Sequence, residues 1–160
     1  MSKLINVDKN LYIFKCVLAT DEVDLDNEKF TKDALREMRE LCRGKIGFIE
    51  AYGTTYNPRI FDTKIKKKKG TTKLIAKAYI YLNTDEDVNR LSDFLSTHKE
   101  CSISCSCLRK VCSVCSRNVN REQCNHIKGS IYGGDRTCIY KLSDVTDVYE
   151  WAFVKKSKEG

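Results

Sequence analysis

The chain has 160 residues, 41% of them hydrophobic, with nine cysteines, one proline and a formal charge of +7. That length suits one domain with a real core plus a small appendage. No apolar run approaches the ~20 residues that span a bilayer, and the first eight residues lack the apolar stretch of a signal peptide, so a cytosolic protein without a membrane anchor is expected. Residues 1–60 carry ten Lys/Arg and ten Asp/Glu, which places the whole cationic excess in residues 61–160.

Residues 11–19 are rich in β-formers and run into the acidic stretch 21–26, a strand followed by a loop. Ala34, Leu35, Met38, Leu41 and Cys42 then recur at three- and four-residue intervals, which predicts a helix over 31–43 closed by Gly44. Residues 45–52 form a second strand. Residues 59–66 and 74–82 form two more, joined by the run Lys64, Lys66, Lys67, Lys68, Lys69 and Gly70. A basic patch can collect polyanions, but here the run reads as a solvated hairpin tip. Ile75, Lys77, Tyr79 and Tyr81 alternate with Ala76, Ala78, Ile80 and Leu82, as a strand with one better-buried face does.

Thr84 is an N-cap, with Asp85, Glu86 and Asp87 in the first turn. Val88, Leu91, Phe94 and Leu95 form the stripe of a second helix ending near Ser96. Residues 101–109 alternate again, with Ser102, Ser104 and Ser106 on one side and Cys101, Ile103, Cys105 and Cys107 on the other. A turn follows within 129–134, then strands at 138–142 and 148–155, and Lys155, Lys156 and Lys158 form a polar tail. This order, with no regular βαβ alternation, predicts one α+β domain over residues 1–160. Its sheet is mainly antiparallel or a partly closed barrel, with two helices.

Six of the nine cysteines lie within residues 101–124, an odd total with no export signal. Metal in a reducing compartment explains them better than a disulfide framework. Cys112, Cys115, Cys124 and His126 are spaced C-x2-C-x8-C-x-H, two ligand pairs able to grip one ion from two tight turns. Four N/S ligands forming a closed set point to structural Zn²⁺, held in a knuckle at residues 110–128. Cys107 or Cys138 stands as an alternative to Cys124. Cys16 and Cys42 fall on apolar faces and are expected in the core, where Cys101, Cys105 and Cys107 also fit.

Three stretches together resemble a known family. Arg59-Ile60-Phe61-Asp62-Thr63 leads through a hairpin to Leu74-Ile75-Ala76-Lys77-Ala78-Tyr79-Ile80. After a short helix comes Glu100-Cys101-Ser102-Ile103-Ser104-Cys105, and the chain closes on Tyr149-Glu150-Trp151-Ala152-Phe153-Val154. This order is similar to the prohead proteases of tailed bacteriophages, head-maturation enzymes with an assemblin-like fold, and to the subgroup with a Cys/His insertion. The similarity covers about residues 10–154.

The resemblance implies that Ser102 occupies the nucleophile position, with Ser104 where the family has glycine. The family's histidine base belongs to the segment 47–58, which here contains none; Glu50 lies in that segment and could substitute. Glu150, in the shared Tyr-Glu-aromatic motif, would orient a base or brace the barrel. His126 is a metal ligand, and His98 stands four residues before Ser102, about 13 Å along an extended chain unless the backbone bends at Lys99. A serine without an adjacent base is a poor nucleophile.

The resemblance therefore implies a phage head-assembly protein that is catalytically weak or silent. Its partners would be capsid and scaffold proteins, with a homo-oligomer allowed, and its place the procapsid or virion head in the host cytoplasm. Two alternatives stand beside it. One is an active serine endopeptidase that cleaves scaffold and capsid protein. The other is a zinc-dependent nucleic-acid binder using Arg109, Lys110, Arg117, Arg121 and Lys128 around the knuckle.

Overall fold

A computed structural model describes residues 3–98 and 100–153. Strands β1 (Ile5–Asp8) and β2 (Leu11–Thr20) form a hairpin that turns at Lys9. A short β3 (Glu28–Phe30) precedes helix α1 (Lys32–Leu41), whose N-cap Thr31 accepts a hydrogen bond from the Ala34 amide. Strands β4 (Gly47–Ala51) and β5 (Thr54–Tyr56) form a second hairpin, turned by Tyr52 and Gly53 at positive φ. The long strands β6 (Arg59–Lys68) and β7 (Thr71–Tyr81) turn at Lys69 and Gly70, followed by helix α2 (Asp85–Thr97) capped by Thr84. Then come β8 (Cys101–Cys112), the small hairpin β9 (Ile131–Tyr132) and β10 (Arg136–Thr137), and finally β11 (Tyr140–Phe153).

Two main sheets result. One is antiparallel in the order β1-β2-β7-β6. In the other, β11 pairs along its whole length with antiparallel β8, while its other edge takes β3 near its start and β4 near its end, both parallel. The α+β expectation with mainly antiparallel pairing holds, but no closed barrel forms among the described residues; isolated bridges, Val17 to Glu100 and Ile46 to Arg59, link the sheets.

The core lies between them. Phe14, Leu18, Leu74 and Ile60 from the first sheet meet Ile49, Val148 and Trp151 from the second, with Leu35 and Met38 of α1 and Leu91 and Leu95 of α2. Alternation in β7 is strict: Thr72, Leu74, Ala76, Ala78 and Ile80 are buried and the residues between them are not. Cys16 and Cys42 are buried, as their apolar faces require.

Sequence reading divided β11 into two strands, at 138–142 and 148–155. The structure instead has one strand of 14 residues. Ser143, Asp144, Thr146 and Asp147 look like a loop because a solvent-facing row of short polar side chains mimics turn chemistry. Ladder pairing with β8 overrides that signal, and the strand absorbs the strain in irregular register at Val145/Asp147 and Val148/Glu150. Val154 and Lys155, which that reading gave to the last strand, and the tail lysines Lys156 and Lys158 lie outside the described residues. Strands β1, β3, β5, β9 and β10 were not foreseen. All are short, and β1 is exposed throughout, so none carries an apolar alternation to detect.

Candidate metal centre and the serine strand

Strand β8 continues past Arg109, where a loop was expected to begin, and ends on the first ligand, Cys112. A tight turn follows: the Ser116 amide donates to the Cys112 carbonyl at 2.9 Å, and Ser116 adopts φ +62°. The loop then folds back on its own strand. Asn118 makes this possible, since its Oδ1 accepts from the Lys110 amide at 3.1 Å and its Nδ2 donates to the Leu108 carbonyl at 3.1 Å. Asn120 adds a bond from Nδ2 to the Cys107 carbonyl. These asparagines position the ligands, and nothing in the ligand spacing announces them.

The donor atoms of Cys112, Cys115, Cys124 and His126 all lie within 4.8 Å of one another, so the cluster can hold a metal ion. Cys115 Sγ is 3.5 Å from Cys124 Sγ, and Cys124 Sγ is 3.5 Å from His126 Nδ1. Two amides aim at sulfur: Val114 N–H donates to Cys112 Sγ and His126 N–H to Cys124 Sγ, each at 3.4 Å. Such donors favour thiolate over thiol. His126 meets the ring of Tyr132 edge-on at 4.8 Å, and the Tyr132 hydroxyl accepts from the Ile127 amide.

The expected four-residue set is thus brought together. Of the two alternatives to Cys124, Cys107 packs against the core instead. Cys138 is fully buried and places its Sγ 3.8 Å from that of Cys112, outside the four-member cluster but touching it.

The thiols titrate as a group. Burial works to raise Cys112, but amide donors from Cys115 and Val114 and the neighbouring thiols outweigh it and bring it down to about 6. Cys138 is pushed up to about 11, by burial first and then by Cys112. For Cys124 the His126 amide works to lower the value, yet burial and the adjacent thiols carry it upward.

Backbone pairing extends the metal lobe beyond residue 128. The Gly129 amide donates to the Cys138 carbonyl and the Cys138 amide to the Ser130 carbonyl, each at 2.8 Å. The lobe is tied to the body by Glu28 on β3, whose Oε2 receives Lys128 Nζ at 3.0 Å and Lys110 Nζ at 3.2 Å. Burial works to raise the Glu28 carboxyl, but the two ammonium groups prevail and hold it below its ordinary range.

The residues singled out by the family resemblance share the outer face of the second sheet. Ser102 pairs with Ala152, and Ala152 with Phe48, so the three form one row across β8, β11 and β4. Ser104 pairs with Glu150 in the next row, and all of Ser102, Ser104, Glu50 and Glu150 are exposed. A cleft of ≈ 370 Å³ opens on this face, lined by Phe48, Glu50, Thr55, Phe94, His98 and Ala152 among others. His98 stacks on Phe94 with ring centroids 3.8 Å apart, and its Nδ1 lies 3.1 Å from the Phe94 carbonyl. Lys99, where a bend would bring His98 toward Ser102, lies outside the described residues. On the opposite face of β8, burial pushes Cys105 up to about 11, and a hydrogen bond to Cys16 together with burial raises Cys101 further. Neither thiol is primed as a nucleophile.

No helix among the described residues is long and apolar enough to cross a membrane. Comparison with family models, with curated proteins and with solved structures gives no match.

Proposed function

We propose that this chain is a bacteriophage head-assembly protein on a prohead-protease-like fold, catalytically weak or silent, with one structural Zn²⁺ in its Cys/His cluster. Its partners are then capsid and scaffold proteins, and its place is the procapsid or virion head. The family motifs along residues 10–154 support the assembly context. The observation that carries the silent reading is the placement of the two imidazoles: one belongs to the donor cluster, the other stacks on Phe94, and among the described residues neither hydrogen-bonds Ser102. His126 Nδ1 lies against Cys124 Sγ inside the donor cluster, and His98 Nδ1 lies against the Phe94 carbonyl.

Zinc is supported by donor chemistry and spacing. Three thiols and an imidazole suit Zn²⁺ better than hard cations. A tetrahedron with Zn–S of about 2.3 Å and Zn–N of about 2.0 Å has edges of roughly 3.5–3.8 Å; two of the donor pairs are 3.5 Å apart and the whole set lies within 4.8 Å. All four ligands come from the protein, which leaves no open position for substrate.

One observation favours an active endopeptidase as the second reading: His98 and Glu50 line the cleft that Ala152, the partner of Ser102, also borders. Incubating wild-type protein and Ser102→Ala with the cognate scaffold separates the two. Identical, uncleaved patterns support the silent reading, and fragments that vanish in Ser102→Ala establish the protease. The knuckle-centred nucleic-acid reading is weakened, because Lys110 and Lys128 are both spent on Glu28 and Tyr132 is covered by His126.

A further inference from the structure

The first sheet turns a second, unrelated surface to solvent. Residues 59–81 carry eight Lys/Arg against one acidic side chain, Asp62, which faces Arg43 at 3.7 Å. Register decides where those charges point. Leu74, Ala76 and Ala78 face the core, so Lys73, Ile75, Lys77 and Tyr79 face outward. Lys66 pairs with Lys73 and Lys64 with Ile75, on the same outward side, and Lys15 of β2 pairs with Lys77 from the other flank. Cations side by side across a ladder repel and cost stability. A surface that keeps two such pairs, Lys66 with Lys73 and Lys15 with Lys77, against the single acid Asp62 opposite Lys77, is shaped for an anion.

Aromatic rings lie at the other end of the same face. Tyr79 contacts Phe61 at 6.1 Å and Tyr81 at 6.2 Å, and Tyr81 and Phe61 are 65% and 44% exposed. Phe61 is the extra residue at the register shift between Ile60 and Asp62, which turns it outward instead of into the core. A cleft of ≈ 360 Å³ opens beside Tyr79 and Tyr81, with Arg59 and Asn57 on its wall. Lysines in rows beside exposed rings on an open antiparallel sheet offer phosphate contacts and base-stacking platforms together. Duplex bases have no free faces to stack, so the rings select single strands.

We propose that the outward face of the β1-β2-β7-β6 sheet binds single-stranded nucleic acid. Bases stack on Tyr79, Tyr81 and Phe61, and the backbone runs toward Lys64, Lys66 and Lys73. This site is separate from the metal lobe and does not depend on the head-assembly reading.

The test is a fluorescence-anisotropy titration of the full-length, zinc-loaded protein against labelled oligothymidylate of about 20 nucleotides, longer than the ~4–16 that such folds cover. Binding should weaken with salt, with Tyr79→Ala and Tyr81→Ala each lowering affinity about 5- to 150-fold. The pair Lys64→Glu/Lys66→Glu should flatten the slope of log K on log salt by about 0.7 per lysine. Circular dichroism confirms that each variant is folded; Tyr81, being exposed, supplies the variant least able to disturb the core. Absence of binding overturns the proposal. So does affinity untouched by both tyrosine variants, equal displacement by duplex DNA or polyglutamate, or a larger loss from Arg117→Ala/Arg121→Ala in the metal lobe than from the sheet lysines.

Discussion

The backbone of Gly47 lies flat against the indole of Trp151: a β-carbon built there would sit 2.5 Å from the ring. The two residues are register partners on β4 and β11, and Trp151 is 1% exposed. Its Nε1 donates to the Lys45 carbonyl at 3.1 Å, so the ring cannot swing aside without giving up a buried hydrogen bond. This contact seats the β4–β5 hairpin, and with it Phe48 and Glu50, against the end of β11, whose other edge carries the serine strand.

Gly47→Ala should therefore destabilise the body by about 1–3 kcal/mol, the usual cost of overpacking a filled core. Thermal melting followed by circular dichroism should show a loss of roughly 2–4 °C per kcal/mol for a chain of this length. An unchanged melting temperature would mean that the indole has room to move.

Chelation acts elsewhere. The metal lobe buries little beyond Cys112 and Cys138, and binding of a structural Zn²⁺ is worth on the order of 10 kcal/mol. Removing the proposed Zn²⁺ should expose residues 110–138 to protease while the core around Phe14, Leu35 and Trp151 persists. Two-dimensional NMR of the treated protein checks this directly: core resonances remain and lobe resonances collapse toward random-coil positions. Collapse of both sets together would assign the ion to the main core.

Glu28→Gln should loosen the lobe without touching the ligands. Losing charge-assisted bonds to Lys110 and Lys128 costs about 1–3 kcal/mol. The folded carboxyl titrates below its ordinary value of 4.5, so its contribution is complete above that pH and disappears as pH falls through the lower folded value. Wild type and variant should thus differ in lobe proteolysis at neutral pH, begin to converge as pH falls below 4.5, and coincide once it has passed the lower folded value. Comparing the two proteins cancels ligand protonation, which affects both alike. A constant difference across that range would remove the charge from the explanation.

Legibility in the sequence followed the strength of each local signal. The helices were readable because their apolar stripes face the core and Thr84 caps the second. The alternation of Ser102 and Ser104 outward with Cys101 and Ile103 inward was equally plain. The four ligands were visible as a spacing, since knuckles are local geometry. What was hidden depends on partners far along the chain: β3 exists because β11 pairs with it, and the polar middle of β11 is extended because β8 holds it there. The approach of Cys138 to Cys112 across 26 residues is likewise a tertiary fact. The lysine run was legible as a solvated hairpin tip, and it is one, turning at Lys69 and Gly70; the alignment of Lys66 with Lys73 needs the register of β6 on β7.

The β8–β11 ladder joins Cys112 to Tyr140 at one end and Cys101 to Phe153 at the other. Zippering two such remote segments is slow, because the intervening chain must first close on itself. An ion held by Cys112, Cys115, Cys124 and His126, which can be brought together around one, would shorten that search from its nearer end. The lobe would then be a nucleus as well as a clamp. Newly synthesised chains in metal-starved cells would linger half-assembled, with the sticky inner edge of β11 open to aggregation.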